Sequence, residues 1–162
     1  MFVTWRLWGS LPRNRWFVRE LTSGQAFVAM DRILDCAETG PRYLARPEIA
    51  RMVTDAIRHR DGELRHYELH AFVVMSNHVL LLFTALIDVT KILRSLKRYT
   101  AVEANRILGR TGQPFWQDES YDRLVRDDNE FDRITHYIEN NPVKAGLVSA
   151  AADYLWSSAR RI

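Results

Sequence analysis

The feature that most narrows the fold of this chain is a pair of apolar runs, HYELHAFVVM (66–75) and HVLLLFT (78–84), parted only by Ser76-Asn77. Two runs rich in β-formers around so short a break predict an antiparallel hairpin. Both become almost continuously apolar, so the hairpin is expected at the centre of a sheet covered on both faces. A turn at Ser76-Asn77 sets Met75 opposite His78 and position 70 opposite Phe83.

Around this hairpin the pattern alternates. Phe2 to Leu7 reads as a short strand closed by Gly9-Ser10 and Pro12. Phe27, Met30, Ile33 and Leu34 recur at helical spacing behind a Thr22 or Ser23 cap, and Gly40-Pro41 stops them. A second helix starts near Pro47 and carries Ile49, Met52, Val53 and Ile57 on one face. A long helix from about Val89 to Leu108 ends at Gly109. Phe115 to Arg126 reads as a loop leading into a short strand. A last helix, capped by Asp128 or Asn129, passes through Phe131, Ile134 and Ile138 and stops at Asn141-Pro142. Helices laid over an antiparallel sheet make an α+β sandwich, expected as one domain over 1–162.

Composition removes some function classes. No run of about 18 apolar residues is present to span a membrane, and MFVTWRLWGS does not read as a secretory signal. Cys36 is the only cysteine, so no internal disulfide forms, which fits a reducing cytosol. In AMDRILDCAET it reads as a small buried helix residue. A net charge of +3 and a sequence pI near 9.2 permit nucleic-acid binding where the positive groups cluster. On the long helix Lys91, Arg94 and Arg98 recur at three and four residues, with Lys97 beside them, and no acid intervenes until Glu103. That is a basic stripe suited to phosphates. Most of the five tryptophans should pack in the core, with one or two, such as Trp5 or Trp116, placed to stack on unpaired bases. Asp118, Glu119 and Asp122 read as structural.

Four stretches carry a more specific signal: VVMSNHVLLLF (73–83), GQPFWQDESYDRLVRD (112–127), YIENNPVKAGLV (137–148) and YLWSSA (154–159). In order and spacing they resemble the REP-associated tyrosine transposases, the single-tyrosine branch of the HUH superfamily, and FVTWRLWGSLP is similar to that family's first strand. The resemblance implies a ferredoxin-like sandwich. It also implies transesterification on single-stranded or hairpin DNA, in which a tyrosine attacks a phosphodiester, forms a phosphotyrosine bond and leaves a free 3′ hydroxyl. A divalent cation, Mg²⁺ or Mn²⁺, held by the two histidines of an H-x-H motif and a further polar ligand, polarises the phosphate. Carried onto this chain, His78 matches the first histidine, Tyr137 the nucleophile and Asn141 the polar ligand. Tyr137 and Asn141, four apart on a helix, share one face. Asn141 reads equally well as a helix C-terminal cap. Tyr121 is the rival tyrosine and reads as packing or DNA contact.

The pattern departs at one place. Where H-x-H is wanted the chain has His78-Val79-Leu80, and leucine has no lone pair to donate. Loss of a ligand is expected to cost at least the roughly 10–100-fold that even outer-shell changes cost, although Mg²⁺ keeps several waters and binds through few protein groups. His70, five strand residues from His78 and so roughly 16 Å away, is expected on the opposite face by parity. His66 is farther still, and His136 points about 100° away from Tyr137 around the helix. The expectation is a transposase domain with impaired nicking. The alternative is a non-cleaving DNA-binding module on the same fold.

Overall fold

The computed structural model describes residues 1–11, 34 and 40–160. At its centre, β2 (Tyr67–Val74) and β3 (His78–Ala85) form the hairpin. Met75 N–H donates to the His78 carbonyl at 2.9 Å, and Val74 pairs with Val79, so the turn sits where the sequence places it. β1 (Phe2–Leu7) adds antiparallel to β3, and β4 (Trp116–Arg123) antiparallel to β1, giving the order β2-β3-β1-β4. β4 is a full eight-residue strand where a loop and a short strand were expected. Its alternation is hidden because the solvent edge carries Gln117, Asp118, Glu119 and Asp122, residues of low β propensity that discourage edge pairing.

Period-two alternation divides the sheet into two faces. Val79, Leu81 and Phe83 of β3, with Val3, Trp5 and Leu7 of β1, enter one core cluster. Over it lie α1 (Pro47–Gly62) and α2 (Val89–Leu108), which contribute Ile49, Val53, Ile57, Ile92 and Leu96. Leu80 and Leu82, with Phe2, Ala71 and Val73, enter the other cluster, covered by α3 (Asp128–Lys144) through Ile138. The hairpin is therefore buried on both faces, as its apolar runs require. Of the first helix expected from sequence only Leu34 is described, helical and buried; Cys36 and Trp16 lie outside the described residues.

Local chemistry sets the ends of the helices. Asp88 caps α2, its carboxylate accepting from Lys91 N–H at 2.9 Å, and Gly109 closes it at φ 65°. Asp127, rather than Asp128 or Asn129, caps α3, accepting from Glu130 N–H at 2.8 Å. The expected stop at Asn141-Pro142 is also corrected: α3 runs on to Lys144 with Pro142 inside it. Proline removes a single helical bond there. The chain then closes in a Schellman motif, with Leu147 N–H on the Pro142 carbonyl, Gly146 N–H on the Val143 carbonyl, and Gly146 at φ 70°. Asn141 is accordingly an interior helix residue, fully buried, and not the C-cap.

The register brings a second correction. Leu69, not His70, pairs with Phe83, because β2 carries a bulge between Leu69 and Ala71. The extra residue turns His70 onto the α3 face, where its ring meets Phe131 edge-on and Nε2 lies 2.7 Å from Thr84 Oγ1. His70 thus shares a face with His78. It stays out of reach for a different reason, since Thr84 is six residues along β3, roughly 20 Å at the usual rise.

Each sheet edge is handled differently. The C-terminal segment covers the upper part of β2: Val74 N–H donates to Trp156, Ser158 N–H to Phe72, and Tyr154 Oη to the Val74 carbonyl at 2.9 Å. On β4 a bulge sets Trp5 opposite Ser120 but Leu7 opposite Trp116, taking Gln117 to Glu119 out of the β1 ladder. Lys97 Nζ donates to the carbonyls of Gln117 and Asp118 at 2.7 and 2.9 Å and so satisfies the bulge from α2. Burial holds the Lys97 pKa below its usual range.

Two predictions follow from these anchors. Lys97→Met should lower unfolding stability by about 1.5–3 kcal/mol, the usual worth of hydrogen bonds to a charged group, measured by urea denaturation. Tyr67, whose hydroxyl donates to the Ile57 carbonyl, is pushed well above its usual pKa by burial, and Tyr154 is pushed up to about 12. Unfolded tyrosine ionises near pH 10, so these two contributions are complete below that pH. They fade as pH rises through the folded values. Absorbance titration should show both phenols ionising only with alkaline unfolding.

Candidate nicking site and basic face

β3 aims His78, Leu80 and Leu82 at α3, and all three are buried. Asn77 fixes the imidazole of His78. Its Nδ2 donates to the Leu34 carbonyl at 2.8 Å, which turns Oδ1 toward His78 Nδ1 at 2.7 Å. An amide oxygen only accepts, so the proton is on Nδ1 and the lone pair on Nε2. This is how proteins hold a histidine that is to offer one nitrogen as a donor of electrons. The motif S-N-H therefore carries a function in its asparagine that its turn position concealed.

α3 supplies the facing side chains. Tyr137 packs against the cluster formed by Leu80, Leu82 and Ile138. Asn141 follows it by four residues and is fully buried. His78 and Tyr137, 59 residues apart in sequence, thus belong to the same side of the sheet. Lys144 lies two turns beyond Tyr137, with Nζ 4.4 Å from the centroid of its ring. A cation over that face is attracted by the negative face of the ring. Arg6, directly across from His78 in the β1–β3 register, is buried on the same face. Sequence reading passed over Arg6 and Lys144. The i+7 spacing from Tyr137 could have found Lys144, whereas Arg6 needed the strand register.

Leu80 occupies the position of the missing histidine and is fully buried in the apolar cluster that Tyr137 packs on. The structure provides no substitute there. Among the described residues no group of three or more His, Cys, Asp or Glu side chains is placed to hold a metal ion. One imidazole and one amide do not make a donor set that fits a firmly held divalent cation.

The basic stripe lies elsewhere. α2 packs on the face of the sheet opposite α3, so Lys91, Arg94 and Arg98 are exposed on the side away from Tyr137. Lys97 parts from them, its ammonium being bound to the two β4 carbonyls. Trp5 and Trp116 are buried and meet edge to face, their centroids 6.1 Å apart, which removes both as base-stacking surfaces. Tyr121 packs edge-on against Phe2, one of the two roles expected for it. No described helix is long and apolar enough to cross a membrane.

Comparison with known proteins bears on the fold and the family. No functionally curated protein matches the chain. The solved structure of a REP-associated tyrosine transposase bound to a REP hairpin superposes with a TM-score of 0.59 at 19% identity, over 97% of this chain and 74% of that one. At that identity the likeness is one of fold, the α+β sandwich. The profile of the family described as "Transposase IS200 like" matches residues 45–141, a span that includes His78, Leu80, Tyr137 and Asn141. That match takes in more than half of the 162 residues, and the chain belongs to the IS200-like transposase family.

Proposed function

We propose that this domain binds hairpin or single-stranded DNA and is built to nick it through Tyr137, with the nicking step impaired by Leu80. The observation that carries the reading is the convergence of Tyr137 and the oriented imidazole of His78 on one side of the sheet. The hairpin in the structurally similar transposase supports a DNA partner of the same form.

In this reading the Tyr137 phenol oxygen attacks a phosphodiester. A P–O bond forms to the tyrosine, the P–O3′ bond breaks, and the departing oxygen leaves as a 3′ hydroxyl. Unperturbed phenol ionises near pH 10 and is a weak nucleophile at neutral pH, so the step depends on positioning and local activation of Tyr137. His78 on β3 and Asn141 on α3 would be the residues left to hold a Mg²⁺ or Mn²⁺ ion, which would polarise the phosphate. That donor set is too poor to hold the ion well, so no step is assigned to it. Lys91, Arg94 and Arg98 contact phosphates. The second reading, a DNA-binding module that does not cleave, is favoured by one observation: Leu80 is packed into the apolar cluster as a core residue.

Leu80→His separates the two. Labelled hairpin DNA with Mn²⁺ should give little or no covalent adduct with the natural sequence. The Leu80→His protein should form an adduct that Tyr137→Phe abolishes. Burying an imidazole in an apolar cluster should also destabilise the fold by about 1–3 kcal/mol, so thermal melts accompany the assay. An adduct from the natural sequence shows that one histidine suffices. A folded Leu80→His protein that binds DNA but never forms an adduct leaves the non-cleaving module.

A further inference from the structure

Between α2 and β4, on the side of the sheet away from Tyr137, runs a cleft of about 960 Å³. Its two walls carry opposite charge. Arg94 and Arg98, one helical turn apart, line the α2 wall, and Asp118 and Asp122 line the β4 wall. All four are exposed, and no ion pair joins them among the described residues. Charges of opposite sign that border one cleft without pairing across it leave both sets of hydrogen-bonding groups available to a ligand. The Lys97 bond to the Gln117 and Asp118 carbonyls ties the two walls together at the floor. At one end stands Trp8, 48% exposed, on the turn that follows β1. Of the tryptophans in the described residues it is the one with a large open surface.

A ligand suited to these walls bears negative charge along one edge, hydrogen-bond donors along the other, and a flat ring to lie on an indole. A single strand of DNA has all three: phosphates for the guanidiniums, exocyclic amino groups for the carboxylates, and bases that stack on tryptophan. Cytosine and adenine present such an amino group, whereas thymine presents none. We propose that the α2–β4 cleft is a single-stranded DNA subsite that prefers amino-bearing bases and stacks one of them on Trp8. This rests on the DNA-binding reading above and assigns the phosphate contacts of Arg94 and Arg98 to a defined, base-selective cleft, on the opposite face of the sheet from the proposed nicking tyrosine. A strand that used both would pass around the end or edge of the sheet.

The test uses the natural protein with short oligo(dC), oligo(dA) and oligo(dT), followed by tryptophan fluorescence and by anisotropy of labelled strands. Oligo(dC) and oligo(dA) should quench the fluorescence, and Trp8→Phe should remove most of that quench. Arg94→Ala/Arg98→Ala should weaken oligo(dC) binding about tenfold or more and flatten its salt dependence. Asp118→Ala/Asp122→Ala makes the cleft more positive, yet it should abolish the preference over oligo(dT), an outcome that charge alone does not produce. All substituted side chains are exposed, and circular dichroism checks the folds. Unchanged affinity in the arginine variant, a full quench in Trp8→Phe, or oligo(dT) bound as tightly as oligo(dC) overturns the proposal. Tighter binding of the matching RNA strand also overturns it, in favour of an RNA subsite. The nicking assay reads the other face independently. Oligonucleotide binding that depends on Arg94, Arg98 and Trp8, with no adduct from Leu80→His, sinks the nicking reading and leaves the cleft. A Tyr137 adduct together with oligonucleotide binding indifferent to these residues does the reverse.

Discussion

Everything at the proposed nicking site depends on the register of β3. The strand is buried on both faces, so each residue is committed either to the α1–α2 core or to the side under α3. A slip of one residue would exchange the two sets and send His78 into the wrong core. The Met75–His78 closure and five consecutive pairs with β1, from Phe2–Leu82 to Arg6–His78, prevent that slip. The apolar side chains that make the hairpin central are therefore also what aims its polar residue. Stability and function are set here by the same alternation.

The same constraint explains why Leu80 is tolerated. A leucine on the α3 face of β3 joins Leu82, Val73 and Ile138 and completes an apolar cluster. A histidine at that point would need a partner for its polar atoms in a place where water is scarce. Without such a partner, leucine is the better residue for the fold. In the proposed reading, packing takes the place of coordination at this one side chain.

Much of this was legible in the sequence. The hairpin, the strand at 2–7 and the helix starts near Pro47 and Val89 follow from periodicity and caps, whereas the common side of His78 and Tyr137 was implied by the family resemblance. The bulge at His70 was not legible, because one extra residue in a strand leaves no mark in an apolar run while reversing the parity of what precedes it. The extent of β4 was hidden by its charged edge. The passage of α3 through Pro142 was hidden because an Asn-Pro pair usually ends a helix, and here the bond lost is a single one. The basic stripe was correctly seen as exposed at Lys91, Arg94 and Arg98. Lys97 differs in that its ammonium serves a bulge 20 residues away in sequence, which one-dimensional spacing does not reveal. The charge-segregated cleft needed the pairing of α2 with β4 as well.

The Leu34–Asn77–His78 relay has an implication for proton bookkeeping. Asn77 is held the right way round by a main-chain oxygen 43 residues earlier. Were that oxygen to move off, the amide would be free to rotate by half a turn and offer its NH₂ group to the imidazole instead. Nδ1 would then have to accept, and the ring proton would pass to Nε2, turning the face that looks toward α3 from Lewis base to hydrogen-bond donor. A rearrangement too small to alter the backbone of β3 would thus exchange an electron pair for a proton on the α3 side of the sheet. The position of one carbonyl, 43 residues earlier in the chain, decides which hydrogen-bonding role His78 is able to offer.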